Sequence, residues 1–129
     1  MRRFAAVAAI FVAIVLGSGC ASLSDAQAAK GSGTTKIYDK PYDIVWNAVL
    51  QSVKSSELKL VSEDKDKGTV LAQREAGGFS WGEHVAIFVE EAGGKDRTRV
   101  EVVGKRALAT NITATNWESE IFEDLDKRL

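Results

Sequence analysis

Residues 83–105 read EHVAIFVEEAGGKDRTRVEVVGK, and their pattern predicts two antiparallel strands joined by a tight turn. Apolar residues occupy every second position on both sides of the turn: Val85, Ile87 and Val89 before it, Val100 and Val102 after it. This period of two is typical of a strand with one buried face. The segment AGGKD at residues 92–96 carries the glycine turn signal. Because consecutive strands are joined by short turns, we expect an antiparallel sheet.

Two similar strand patterns come earlier in the chain. Residues 58–64 alternate so that Leu58, Leu60 and Ser62 are expected to share one face, and residues 69–75 alternate in the same way. The sequence therefore predicts a sheet of four strands, at residues 58–64, 69–75, 83–91 and 98–105.

Amphipathic helices are predicted on both sides of these strands. Pro41 suits a first helical turn, and residues 42–55 then repeat apolar side chains at helical spacing. Residues 115–118 read TNWE, which fits a capping box in which the Thr115 hydroxyl accepts a hydrogen bond from the Glu118 backbone N–H. The apolar stripe of this last helix is Trp117, Ile121, Leu125 and Leu129. Its opposite face is acidic, which we interpret as a solvated surface.

The order of these patterns predicts the fold class. Residues 35–38 are a further short β-prone stretch before the first helix. Because neither helix can bury its apolar stripe alone, both are expected to pack on one face of the sheet. The prediction is an α+β fold, an antiparallel four-stranded sheet with two helices packed on one face, in the order β-α-β-β-β-β-α. It is assigned to a single domain at residues 34–129, preceded by a flexible tether at residues 20–33 that is rich in Ala, Ser and Gly.

The composition excludes several classes of function. The chain has 129 residues, with 17 Lys and Arg against 18 Asp and Glu, which gives a net charge of −1. This balance argues against nucleic acid binding, which needs a basic surface. A single Cys excludes an intrachain disulfide framework and a multi-cysteine metal site, and a single His excludes a His-rich metal site. We therefore expect no metal and no cofactor.

The first residues of the chain have the pattern of an export signal. Arg2 and Arg3 precede the apolar run FAAVAAIFVAIVL at residues 4–16. This run is shorter than the roughly 20 residues that a membrane span needs. It leads into LGSGC at residues 16–20, where small residues precede the only Cys.

The segment ending at Cys20 resembles the lipobox of bacterial lipoproteins. Gly17 occupies the position where that family usually has an aliphatic residue, and Leu16 lies one place before it. The resemblance implies a signal peptide at residues 1–19, cleavage before Cys20, and acylation of the Cys20 thiol as a membrane anchor. By resemblance to Gram-negative sorting signals, Ala21 and Ser22 favour the outer membrane, with the domain on the periplasmic side.

Two other interpretations of the N-terminus are open. The triplet AQA at residues 26–28 fits an ordinary signal-peptidase site, which would give a soluble secreted protein. Residues 4–23 could instead act as an uncleaved membrane anchor. All three interpretations place the domain outside the cytoplasm.

Three short segments carry a second resemblance. They are YDIVWNAV at residues 42–49, the Asp/Lys/Gly turn at residues 64–68 and TVLA at residues 69–72. The layout is similar to small bacterial lipoprotein domains of unknown function. It more loosely resembles the modules of BamC lipoproteins in the outer-membrane β-barrel assembly machinery, over residues 37–129. The resemblance implies a fold and an envelope location, and it brings no catalytic residues.

Phe79 and Trp81 are the first candidates for contact with a partner. They lie two residues apart between Gly77, Gly78 and Gly82, so both side chains point the same way if the segment is extended. Large apolar groups on a loop can anchor a partner, or both rings can fold back on the sheet. The strand edge beside this loop is a further candidate, because an edge can add a strand from another chain.

His84 is the only imidazole, and alternation places it on the face with Ala86 and Phe88. A catalytic His needs an orienting partner and a nucleophile, and proximity in sequence offers only Ser80. We therefore predict no catalytic residues and no enzymatic activity.

These observations lead to three functional hypotheses. The first is a non-enzymatic, lipid-anchored envelope lipoprotein whose domain binds or scaffolds an envelope protein on the periplasmic side. The second is a carrier that holds a small apolar ligand between the helix at residues 42–55 and the sheet. The third, which the sequence favours least, is a hydrolase that uses Ser80 and His84.

Overall fold

The computed structural model describes residues 30–74, 82–106 and 116–129. The elements are β1 (Thr34–Tyr38), α1 (Tyr42–Ser55), β2 (Lys59–Asp64), β3 (Thr69–Arg74), β4 (Glu83–Glu91), β5 (Thr98–Arg106) and α2 (Trp117–Arg128). Their order is the predicted one, and the fold class is α+β.

Within the described ranges the sheet has five strands, in the order β1-β5-β4-β3-β2, and every neighbouring pair is antiparallel. The predicted four-stranded sheet is therefore wrong by one strand. The additional strand is β1, in which Thr34 lies opposite Val102 and Tyr38 opposite Thr98. β1 and β5 are separated in the sequence by α1 and three strands, so no turn signal links them and their pairing depends on the folded chain.

Helix α1 connects the two edge strands of the sheet. β1 lies at one edge and β2 at the other, so the chain must cross the sheet between them. α1 makes this crossing, with contacts to β4 and β2, while α2 packs beside it and against β5. The strands from β2 to β5 then follow one another as a meander.

One side of the sheet, the inner face, packs against both helices. In β4, Val85, Ile87 and Val89 point to the inner face, and Ala86 and Phe88 point to the opposite outer face. The helix residues buried against the inner face are Val45, Trp46, Val49 and Val53 of α1 and Trp117, Ile121, Phe122 and Leu125 of α2. Removal of this apolar surface from water is the main stabilising contribution, and it places both helices on one face, as predicted.

A buried polar contact also joins α2 to the sheet. Glu83 lies on the inner face and is 1% exposed. Its carboxylate accepts a hydrogen bond from the indole N–H of Trp117 and lies 3.8 Å from a guanidinium nitrogen of Arg74. An unpaired buried carboxylate is costly, so these contacts stabilise the fold only when α2 begins next to the first residue of β4. They therefore fix the position of the start of α2 on the sheet.

The strand β2 departs from the alternation that the sequence predicts. A bulge lies between Leu60 and Ser62. Leu60 is opposite Ala72, whereas Ser62 is opposite Leu71, so Leu60 and Ser62 lie on different faces. The prediction that they share a face is wrong, because a bulge inserts one extra residue into the strand and changes the phase after it.

The N-cap of α2 is Asn116 rather than Thr115. The Asn116 Oδ1 accepts a hydrogen bond from the Ser119 backbone N–H at 3.2 Å. The Glu118 carboxylate, assigned by the sequence pattern to the capping box, accepts a hydrogen bond from Thr34 Oγ1 at 2.6 Å. Thr and Asn are both good N-caps, so two adjacent candidates could not be separated by residue type.

Gly68 closes the turn between β2 and β3. Its φ is +66°, and a Cβ at this position would lie 2.0 Å from the carbonyl oxygen of Val89. The Gly68 carbonyl in turn accepts a hydrogen bond from the Val89 N–H at 2.8 Å. Only glycine combines this backbone conformation with such a close approach.

Candidate functional site

The two edge strands of the sheet differ in how well they are protected against pairing with another chain. β2 carries the bulge and has charged residues along its length, two features that hinder strand addition. β1 reads TTKIY, with Lys36 as its one charged residue, and it pairs with β5 in regular register without a bulge. Its residues 34–37 are exposed, and three of these four are β-branched. β1 is therefore the candidate interaction site.

The backbone of β1 offers hydrogen-bonding groups on its free side. A Cβ on Gly33 would lie 2.3 Å from the carbonyl oxygen of Val102, so that carbonyl points toward β1. Thr34, which lies opposite Val102, therefore belongs to the residues that bond to β5. Because bonded and outward-facing residues alternate along an edge strand, Thr35 and Ile37 direct their N–H and C=O groups away from β5. We call this free side of β1 the open edge.

Residues 30–33, the part of the chain before β1 that the structure describes, do not cover the open edge. The Glu101 carboxylate accepts hydrogen bonds from the backbone N–H groups of Gly31, at 2.7 Å, and Gly33, at 2.9 Å. The Lys30 Nζ lies 5.6 Å from the centroid of the Phe88 ring. Glu101 and Phe88 face each other on β5 and β4. This segment thus turns back over the outer face, away from the open edge.

Helix α2 runs alongside β1 on the inner face. Near the start of the helix, Glu118 accepts a hydrogen bond from Thr34 Oγ1 at 2.6 Å. Near its end, Asp126 lies 2.6 Å from Lys36 Nζ and accepts a hydrogen bond from the Tyr38 hydroxyl at 2.9 Å. Since these contacts advance together along both elements, α2 is roughly parallel to β1 and forms a wall beside it.

The space between β1 and α2 is a depression of about 350 Å³, which we call the α2 groove. The strand wall includes Thr34 and Lys36, and the helix wall includes Glu118, Ser119, Phe122, Glu123 and Asp126. Three carboxylates thus face one ammonium group. The α2 groove therefore has a negative potential.

At one end of the groove, Lys36 and Tyr38 both donate hydrogen bonds to the Asp126 carboxylate. These bonds from Lys36 and Tyr38 hold the pKa of Asp126 below its ordinary value. Burial, followed by the bond to Asp126, raises the pKa of Tyr38. At neutral pH Asp126 is therefore ionised and Tyr38 keeps its proton. The Lys36 and Asp126 side chains are 45% and 46% exposed, so a partner can reach them.

The predicted partner-binding residues Phe79 and Trp81 lie outside the described residues, as does the predicted lipidation site Cys20. The strand edge beside the loop at residues 77–82 was a further candidate, and this prediction is wrong. β3 and β4 flank that loop, and each has a neighbouring strand on both sides. A strand paired on both sides has no free row of backbone groups to offer another chain.

His84 lies on the outer face, as predicted, opposite Gln73 and Lys105 in register. Its Nδ1 is buried and has no hydrogen-bond partner among the residues that the structure describes. Burial lowers the pKa of His84. Ser80 lies outside the described residues. A catalytic His needs an orienting partner, so this environment gives the hydrolase hypothesis no support.

Other features of the described ranges bear on possible ligands. These ranges contain no group of three or more His, Cys, Asp or Glu residues that could hold a metal ion. Another depression, of about 280 Å³, lies between the helices beside Ser55, Asp124 and Lys127, and its lining is polar. In the same part of the chain, no helix combines the length and the apolar character needed to cross a bilayer.

Sequence reasoning missed the open edge and the groove beside it. The pattern at residues 35–38 predicts β structure, but it does not say which strand is the neighbour. The acidic face of the last helix predicts a solvated surface, and its position beside β1 appears only after folding. One sequence signal was present, since Glu118, Phe122 and Asp126 recur at helical spacing along one side of α2.

The fold has counterparts among solved structures. No family model matches the chain, and no curated protein matches it. A protein from Nitrosospira multiformis has a TM-score of 0.54 at 13% identity, over 74% of this chain and 90% of that chain. An uncharacterised protein from Bacillus thuringiensis has a TM-score of 0.52 at 15% identity, over 74% of this chain and 93% of that chain. At such low identity, the likeness shows the fold alone.

Proposed function

We propose that this chain is a non-enzymatic envelope lipoprotein, anchored to a membrane through Cys20, whose periplasmic domain binds another envelope protein. The observation that carries the proposal is the open edge of β1. Strand addition at an edge gives affinity through main-chain hydrogen bonds and needs no catalytic group. β1 is short and has Lys36 at its centre, but it is exposed, unbulged and rich in β-branched residues, which supports a binding role.

The anchor rests on the N-terminal sequence. The apolar run at residues 4–16 has the length of the hydrophobic region of a signal peptide, and small residues lead directly to Cys20. By their resemblance to Gram-negative sorting signals, Ala21 and Ser22 favour the outer membrane as the site of anchoring. A lipid at Cys20 and the short predicted tether at residues 20–33 would hold the domain close to the membrane surface.

Labelling with radioactive palmitate tests the anchor. We expect the wild-type chain to incorporate the label in bacterial cells and the Cys20→Ser variant to lose it. Equal labelling of both chains, or no labelling of either, would contradict the lipoprotein assignment.

Photo-crosslinking in cells tests the open edge. A benzophenone amino acid in place of Ile37, on β1, is expected to crosslink to an envelope protein. The same probe in place of Glu63, on the edge strand β2, serves as the control and should give no such product. The Thr35→Pro change removes an outward N–H and should abolish the crosslink, whereas Thr35→Val keeps that N–H and the crosslink. Equal products from both edges would count against the proposal.

Phe79 and Trp81 are proposed as additional contacts. If the loop takes part in binding, the combined Phe79→Ala and Trp81→Ala variant should weaken the crosslink formed at position 37. An unchanged crosslink would remove both residues from the binding surface and leave the open edge as the contact.

The alternative function is a carrier with an apolar ligand between α1 and the sheet. Val45, Val49 and Ile87 face one another in this interface, and each is 0% exposed. A cavity of ligand size would leave accessible surface on the side chains that line it, so this packing favours the binding domain. Organic extraction of the purified protein followed by mass spectrometry tests the carrier. A stoichiometric apolar molecule in the extract would support it.

A further inference from the structure

We propose that the α2 groove selects an extended segment of another envelope protein in which basic side chains alternate with apolar ones. The inference rests on the proposed function, because it assigns the chemistry of the strand that adds to the open edge. It is carried by the geometry and the charge on the two sides of β1.

Any strand that pairs with β1 places its side chains alternately on the two faces of the sheet. On the inner face they would lie in the α2 groove, because α2 runs parallel to β1. On the outer face they would lie beside Ile37, which is 46% exposed. Successive side chains of the partner strand therefore enter two different environments, the α2 groove and the surface beside Ile37.

The inner environment is acidic. Glu118, Glu123 and Asp126 line the α2 groove together with Lys36. Asp126 is already paired with Lys36. Glu123 meets the Ser119 hydroxyl at 3.4 Å, which is a long hydrogen bond. The Glu123 carboxylate is thus available to a Lys or Arg side chain of the partner, and such a contact would be charge-assisted.

The outer environment at the open edge has one exposed apolar side chain, that of Ile37, which lies opposite Arg99 of β5. Ile37 presents its side chain there, and Thr35 is the other β1 residue on this face. Apolar or β-branched side chains on the added strand would form cross-strand contacts with Ile37 and remove its surface from water. Basic residues facing inward and apolar residues facing outward together define the alternating segment.

A second copy of this chain fits the open edge poorly. Antiparallel pairing of β1 with β1 of another copy would bring the two α2 helices side by side on the inner face. Their carboxylates at positions 118, 123 and 126 would then face each other, and like charges across an interface are repulsive. The charge of the groove therefore favours a basic partner over self-association.

Peptide binding to the full chain, purified in a neutral detergent, tests the inference. The probe is a fluorescent peptide of alternating residues, Lys-Val-Lys-Val-Lys-Val. The comparison peptides are Glu-Val-Glu-Val-Glu-Val and the block sequence Lys-Lys-Lys-Val-Val-Val. By fluorescence anisotropy we expect the probe to bind about tenfold more tightly than either comparison peptide. Its affinity should fall as salt is added.

Matched variants locate the binding site. Glu123→Lys reverses a charge in the groove and should weaken binding of the probe about tenfold. Glu63→Lys makes the same change in net charge on β2, at the opposite edge, and should leave binding unchanged. Hydrogen exchange of the wild-type chain gives a readout that needs no substitution. The probe should slow exchange of the Thr35 and Ile37 amides.

The inference is overturned by equal binding of either comparison peptide, by equal effects of the two charge reversals, or by unchanged exchange at Thr35. A dimer of this chain that protects the Thr35 amide would assign the open edge to a second copy, and it too would overturn the inference. If crosslinking at position 37 succeeds while the peptides bind without charge preference, the proposed function stands and the alternating-charge inference fails.

Discussion

Glu83 and Trp117 illustrate how a single buried pair can position a helix. Trp117→Phe keeps an aromatic ring in place but removes the indole N–H that donates to the Glu83 carboxylate. We expect the free energy of unfolding to fall by about 1–3 kcal/mol, because a buried carboxylate loses a donor. Urea denaturation followed by circular dichroism measures this change.

A matched control separates the hydrogen bond from the loss of ring volume. Trp46 of α1 is as buried as Trp117, and it stacks on Tyr42 with the ring centroids 6.1 Å apart. Trp46→Phe makes the same change in volume away from Glu83. If the two variants lose equal stability, packing alone accounts for the effect and the role assigned to Glu83 is wrong.

His84 should make stability depend on pH. Burial lowers its pKa, so the unfolded chain binds this proton more readily than the folded chain does. Neutral His84 makes its full contribution to the free energy of unfolding above about pH 6.5, the pKa of His in the unfolded chain. This contribution is lost as the pH falls through the lower pKa of His84 in the folded chain. Between about pH 7 and about pH 5, we expect the wild type to lose more stability than His84→Gln. Urea denaturation at several pH values measures the difference, and parallel losses would contradict the prediction.

At the scale of elements, the local signals performed unevenly. The predicted bounds of α1, Tyr42–Ser55, and of β4, Glu83–Glu91, are confirmed. In both elements the apolar period is long and uninterrupted, so local pattern and tertiary packing agree. The bulge in β2 has no comparable signal, because Leu60-Val61-Ser62 fits an ordinary alternation as well as a bulged one.

The start of α2 can be tested directly. Asn116→Ala removes the side chain that accepts from the Ser119 N–H and should cost about 1 kcal/mol of stability. Thr115→Ala should have little effect if Asn116 is the cap. Thermal unfolding of the two variants compares them, and a larger loss for Thr115→Ala would restore the capping box that the sequence pattern predicts.

For the whole molecule, the order of strands decides which backbone groups are available to a partner. Native-state hydrogen exchange should find the slowest amides in β4, which is the central strand of the sheet. Within β1, the amides of Thr34 and Lys36 should exchange slowly, and those of Thr35 and Ile37 rapidly. Uniform protection along β1 would contradict the assignment of the open edge.

The candidate site also depends on the whole molecule, because its parts come from distant positions in the sequence. β1 pairs with β5 through residues such as Thr34 and Val102, and α2 reaches β1 through Glu118 and Asp126. No local period connects these positions, so the sequence predicted each element without predicting the groove between them. His84 differs, because alternation within one strand was enough to place it on the outer face.

The sequence by itself determined the element order, the α+β class, the core residues of α1 and β4, and the expectation of a lipid anchor at Cys20. These follow from short-range patterns, because hydrophobic period, turn residues and a signal segment are all readable within a few turns of chain. Only the tertiary structure decided that the sheet has an edge at β1 and that an acidic helix lies beside it. Both depend on contacts between residues far apart in sequence, whose pairing is set by the burial of a shared core.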